Sequence, residues 1–240
     1  MKNKKDSTVI AIGASTGGVE ALKEILKKLP ADMPPIIIVQ HIPASFTKFL
    51  AEGLNGVSRL EVAEATDGEP LTPGKVLIAP GNMHMTLERK CEGYYVSIKE
   101  GSPVYRQCPS IETMFCSVAK SAGPEAVGII LTGWGKDGAK GLLEMKECGA
   151  FTIAQDERSC IAFELPKEAI ELGAVHVTTG LQNIPKTILD YLQNNIMKGE
   201  DDPEYHPAII REDRERNRYG QGTGQQYQGG SGVRAIYPVL

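Results

Sequence analysis

Short, unbroken apolar runs recur along the chain to about residue 193. Val9 to Ile12, Ile36 to Val39, Lys75 to Ala79, Val127 to Leu131, Ala150 to Ala154 and Ala174 to Val177 alternate with stretches of helical spacing. After the first run, Val19, Leu22, Ile25, Leu26 and Leu29 fall on one helical stripe; after the second, a helix carries Phe46, Phe49, Leu50 and Leu54. Ser110, following Pro109, has the position of an N-cap for a helix with Ile111, Met114, Phe115 and Val118 facing inward. A strand that is apolar throughout has no solvated face, so helices must cover both sides of the sheet, which makes the sheet parallel. The pattern predicts an α/β fold: a doubly wound, mostly parallel sheet with helices on both faces.

Two segments depart from this rhythm. Met83, Met85 and Leu87 alternate with polar neighbours, Gly93 marks a turn, and Val96 and Ile98 alternate again. Period two on both sides of a turn predicts an antiparallel β-hairpin, expected at one edge of the sheet. Beyond Gly199 the chain becomes charged and then rich in Gly and Gln, a composition that buries too little apolar surface to fold. The expected division is a folded domain over 1–198 and a flexible tail or linker over 199–240.

Composition narrows the possible functions. With 240 residues, 41% of them hydrophobic, the chain has the make-up of an ordinary globular protein. A formal charge of −4 gives no basic field for nucleic acid or anionic lipid, so neither is an expected partner. The five cysteines are an odd number without C-x-x-C spacing, which points to no zinc site and no disulfide framework. The basic N-terminus is followed by a run too short for a signal peptide, and no segment approaches membrane-spanning length. A cytoplasmic location is expected.

The candidate chemistry lies in the loops that follow the apolar runs, because doubly wound sheets gather reactive groups beyond the carboxyl ends of their strands. Gly13-Ala14-Ser15-Thr16-Gly17-Gly18 puts a hydroxyl on a glycine-flanked turn between strand and helix, where a nucleophile is exposed and backbone N–H groups are free. The second run ends at His41, a base of suitable strength for removing a serine proton. The loop after the Val127 run brings Asp137, a carboxylate able to orient the imidazole. Thr16, Gly17 and the loop holding Trp134 are candidate donors to an oxyanion. A dinucleotide site is disfavoured: the glycine pattern is not G-x-G-x-x-G, and the second strand ends without an acid for a ribose. The order Ser, His, Asp also differs from that of α/β-hydrolases. His84 is expected on the hairpin surface and His176 on a strand, without roles.

These residues, together with Gln40-His41-Ile42-Pro43, Ile78 to Met85, Pro109-Ser110-Ile111 and Thr152 to Cys160, resemble the catalytic domain of the chemotaxis protein-glutamate methylesterases, the CheB family, from about residue 8 to 193. The resemblance implies a hydrolase that demethylates glutamate γ-methyl esters on the cytoplasmic domains of chemoreceptors and releases methanol, with glutamine deamidation as a second activity. It implies Ser15 as nucleophile, His41 as base and Asp137 as orienting acid, with no metal or organic cofactor. Members of that family usually carry a receiver domain ahead of this one, whereas this chain starts at the catalytic strand; a separate receiver or other regulatory protein is the partner implied. Gln107 stands where a histidine-containing stretch is common, and Trp134 where methionine is frequent, so both are candidates for lining the site. The competing reading is a binding or regulatory module of signalling complexes that keeps the triad without turnover.

Overall fold

The computed structural model describes residues 8–197. The expected tail over 199–240 lies outside them. Among the described residues six α-helices and nine strands follow in the order β1 (Val9–Ala14), α1 (Gly18–Leu26), β2 (Ile36–Gln40), α2 (Thr47–Asn55), β3 (Glu61–Glu64), β4 (Lys75–Ile78), β5 (His84–Lys90), β6 (Gly93–Lys99), α3 (Ile111–Ala122), β7 (Ala126–Ile130), α4 (Ala139–Glu147), β8 (Phe151–Gln155), α5 (Glu164–Glu171), β9 (Val177–Thr179) and α6 (Ile184–Met197). Seven strands form one parallel sheet in the order β3-β4-β2-β1-β7-β8-β9, with β1 at its centre.

Strand β1 shows why the sheet is covered on both faces. Its alternate side chains enter different cores: Val9 and Ala11 pack with Phe115, Leu142 and Leu165 of α3, α4 and α5, while Ile10 and Ile12 pack with Leu22, Leu50 and Ile188 of α1, α2 and α6. The doubly wound arrangement follows from this alternation. Chain order reverses at β1, with β2 on one side and β7 on the other, and this switch point is where such folds open a crevice at the strand ends.

The hairpin forms as β5 and β6, though as a separate two-stranded sheet and not as an extension of the large one. Both of its outer edges are occupied. The Gly68–Leu71 segment bonds to β6, through Leu71 N to Tyr94 O at 2.9 Å and Val96 N to Glu69 O at 3.0 Å. On β5, Leu87 N donates to Ser117 Oγ of α3 and Leu87 O accepts from Ser121 Oγ.

Two expectations for side chains need correction. On α2 the inward positions are Thr47, Leu50, Ala51 and Leu54, spaced three and four apart. Phe49 lies off that stripe and Phe46 precedes the helix, so both are exposed, at 68% and 52%. His84 is not a surface residue. At the start of β5 it is buried, with Nδ1 accepting from Ser110 N and Nε2 on Ser102 O, because the hairpin folds down onto α3. His176 precedes β9 and is half-buried; its Nδ1 accepts from Thr152 N.

Candidate active site

Ser15 follows β1, His41 follows β2, and Asp137 lies in the loop between β7 and α4. The backbones of these ends are tied together: His41 N donates to Ala14 O and Ser15 N to Thr132 O, each at 3.0 Å. Gly17 takes a left-handed φ of 82°, which turns the chain from β1 into α1. A side chain at Gly133 would collide with Ser15 Cβ, so glycine there lets the β7 loop close against the Ser15 turn.

The imidazole and the carboxylate meet. His41 Nε2 donates to Asp137 Oδ2 at 2.8 Å, with the two side chains only 6% and 2% exposed. Asp137 accepts three further hydrogen bonds, from Ser110 Oγ at 2.8 Å and Glu112 N at 2.9 Å on Oδ1, and from Ile111 N at 2.8 Å on Oδ2. The carboxylate therefore serves the N-terminus of α3, where backbone donors and the helix dipole favour negative charge. It does not cap the helix that follows it: the N-cap of α4 is Gly138, without a side-chain bond. Ser110 is the N-cap of α3 as expected, accepting from Thr113 N.

Because an ionised carboxylate only accepts, the His41 proton belongs on Nε2 and the lone pair on Nδ1. Nδ1 is buried and has no hydrogen-bond partner; no bond to Ser15 Oγ is made in this structure. A buried, unpartnered basic nitrogen at the end of the strand next to the serine turn is a proton acceptor awaiting a donor. In addition, no group among the described residues accepts from the N–H groups of Thr16 and Gly17, beside the uncapped start of α1. That is the arrangement a developing oxyanion needs.

Of the other candidates, Trp134 is 60% exposed on the β7 loop. Gln107 closes a tight turn with Val104, across Tyr105 and Arg106 in left-handed conformation, and no hydrogen bond joins its side chain to the three central residues. The site also holds residues that motif reading passed over. Thr132 Oγ1 donates to Thr16 O and accepts from Ile161 N and Ala162 N, clamping the Ser15 turn to the loop after β8. Gln155 Oε1 accepts from Thr132 N, and Gln40 Nε2 donates to the carbonyls of Ser15 and His41. The available signal was a polar residue ending an otherwise apolar, buried strand. Glu112 lies beside Asp137, and burial first, then that neighbouring charge, raises its carboxyl above the ordinary value.

The sequence matches the family model for the CheB methylesterase over residues 10–188. The chain belongs to the CheB methylesterase family. A relative from Syntrophus aciditrophicus, named protein-glutamate methylesterase/protein-glutamine glutaminase 2, is 54% identical over 181 residues, which are 75% of this chain and 53% of that protein. A relative of the same name from Rhizobium johnstonii is 52% identical over 78% of this chain and 51% of its own. This chain thus spans about half the length of the curated relatives it matches. The solved Thermotoga maritima CheB methylesterase catalytic domain is 36% identical, with a TM-score of 0.75 over 77% of this chain and 98% of that one. Among the described residues no helix is long and apolar enough to cross a membrane.

Proposed function

We propose that this CheB-family chain hydrolyses glutamate γ-methyl esters on the cytoplasmic domains of chemoreceptors, with Ser15 as nucleophile, His41 as base and Asp137 as orienting acid. The observation that carries the reading is the buried His41–Asp137 bond at 2.8 Å, which leaves Nδ1 unpartnered next to the Ser15 turn. As Ser15 Oγ attacks the ester carbonyl carbon, its proton passes to Nδ1, and the imidazolium is stabilised by Asp137. Charge developing on the carbonyl oxygen is taken up by the N–H groups of Thr16 and Gly17. Collapse breaks the bond to methoxide, which leaves with the proton from His41 as methanol. Water then attacks the glutamyl ester of Ser15, giving a proton to His41; the second collapse returns that proton to Ser15 Oγ and frees the glutamate. With a glutamine side chain the same steps expel ammonia, which fits the second activity in the names of its relatives.

The same reading makes the protein a cytoplasmic component of bacterial chemotaxis adaptation, with receptor fragments as substrate and a receiver as regulator. Residues 1–198 would carry the activity, with 199–240 as a tail or linker. Methanol release from methylated receptor fragments tests the proposal. Wild-type protein should release methanol and Ser15→Ala should not; an inert wild type, or an equally active Ser15→Ala, refutes it.

A further inference from the structure

We infer that Gln40 is a positioning residue that sets the separation of Ser15 from His41, a role that rests on the hydrolase reading above. Gln40 ends β2 and is 3% exposed. The parallel pairing of β1 with β2 runs to Ala14 opposite Gln40, and His41 N donates to Ala14 O. There the ladder to β2 stops: Ser15 N faces Thr132 O on the β7 side, and the next rung, from Thr16 N to His41 O, is not made. The Gln40 side chain supplies one more rung. Its two Nε2 hydrogens go to Ser15 O at 2.8 Å and His41 O at 3.0 Å, so one planar amide spans the main chains of nucleophile and base.

Two details argue that this rung is for geometry and not merely for satisfying buried groups. Ser15 O already accepts from Gly18 N at 2.8 Å and needs no second donor. Meanwhile Gln40 Oε1 is buried without a partner, a cost that an apolar side chain at this position would avoid. The oxygen rests against Gly18, where any added Cβ would collide with it. A side chain at position 18 would therefore push the amide out of place, and it would press on Ala14 Cβ at 2.7 Å as well.

The test compares Gln40→Met, Gln40→Glu and Gly18→Ala with wild type, reading kcat and KM on a methylated receptor fragment and Ser15 labelling by a fluorophosphonate probe. Gln40→Met keeps length and loses both donors; Gln40→Glu aims a carboxylate oxygen at two carbonyls. Small misplacement of reacting groups costs on the order of a hundredfold. Both Gln40 variants should lose about that in kcat and in labelling rate, with KM close to wild type, and Gly18→Ala should lose less in the same direction. If the Gln40 variants fail to fold, a folded Gly18→Ala with wild-type kcat and labelling rate overturns the inference, because its Cβ must displace the amide. A folded Gln40→Met with wild-type kcat and labelling overturns the inference and leaves the hydrolase reading standing. A wild type that neither turns over nor labels removes both.

Discussion

Replacing Asp137 by Asn keeps the size of the side chain and changes only which atoms donate and accept. Four donors converge on the carboxylate: Ser110 Oγ and Glu112 N on one oxygen, Ile111 N and His41 Nε2–H on the other. An amide has one accepting oxygen. If its NH2 takes the Oδ2 position, it faces Ile111 N–H and His41 Nε2–H, and the imidazole must move its proton to Nδ1, which ends its service as a base. If the NH2 takes the Oδ1 position, Ser110 Oγ can turn to accept, but Glu112 N–H is left facing a donor. Either way one buried N–H loses its partner, which costs about 1–3 kcal/mol, or a melting temperature lower by about 2–4 °C for each kcal/mol at this size. Loss of the orienting charge should lower kcat about 10⁴-fold, the scale seen where such a triad aspartate becomes asparagine. Methanol release and a thermal melt on the same sample read both effects. A folded Asp137→Asn with wild-type kcat would refute the claim that Asp137 orients the base.

Two further predictions concern the shell of the site. At Gly17 a Cβ would lie 2.7 Å from Ile161 Cγ1, and φ is 82°; Gly17→Ala should lose about 1–2 kcal/mol from the left-handed backbone alone, and more from the contact. In an Ile161→Gly background, which removes both Cγ1 and the Cβ at 2.8 Å, Gly17→Ala should cost only the backbone part in a denaturation curve, and no cost there would show that the backbone conformation is unstrained. Glu112, whose carboxyl is raised by burial and by Asp137, binds its proton more tightly folded than unfolded. Its stabilising contribution is therefore present at pH below the ordinary carboxyl value and lost as pH rises through the folded one. Glu112→Gln keeps an acceptor for Gly138 N and should be more stable than wild type at neutral pH, with the advantage vanishing as acid protonates Glu112. An advantage equally large in acid would show that charge is not its source.

The core strands were legible because strands buried on both faces are apolar at every position. β1, β2, β4, β7 and β8 all meet that condition at most residues. Strand β3 was missed for the converse reason: on the sheet edge, with Glu61 exposed and Ala63 and Glu64 half-buried, its four residues have neither an apolar run nor clean alternation. The Ser15 turn and His41 could be read because each ends an apolar run on a chemically distinctive side chain. What tertiary structure alone supplies is the partner of each group. Nothing local to Asp137 reveals that Ser110, Ile111 and Glu112 bond to it from α3, or that His84 comes down from the hairpin to accept from Ser110 N.

That network explains why the hairpin and α3 belong to the site without contributing a reacting group. The N-cap Ser110 and the α3 residues Ile111 and Glu112 hold the Asp137 carboxylate, and that carboxylate in turn holds the imidazole, so one buried charge satisfies a helix start and fixes the ring of the proposed base. On the proposed mechanism, stability and catalysis then share the same hydrogen bonds. A substitution that loosens the start of α3, such as Ser110→Ala, removes a donor to Asp137 and a cap on Thr113 N together. Loss of folding free energy and loss of turnover should rise in step along such a series. On the Ser15 side, Thr132 ties the turn to the loop after β8 and not to α3, so damage there need not follow the same relation.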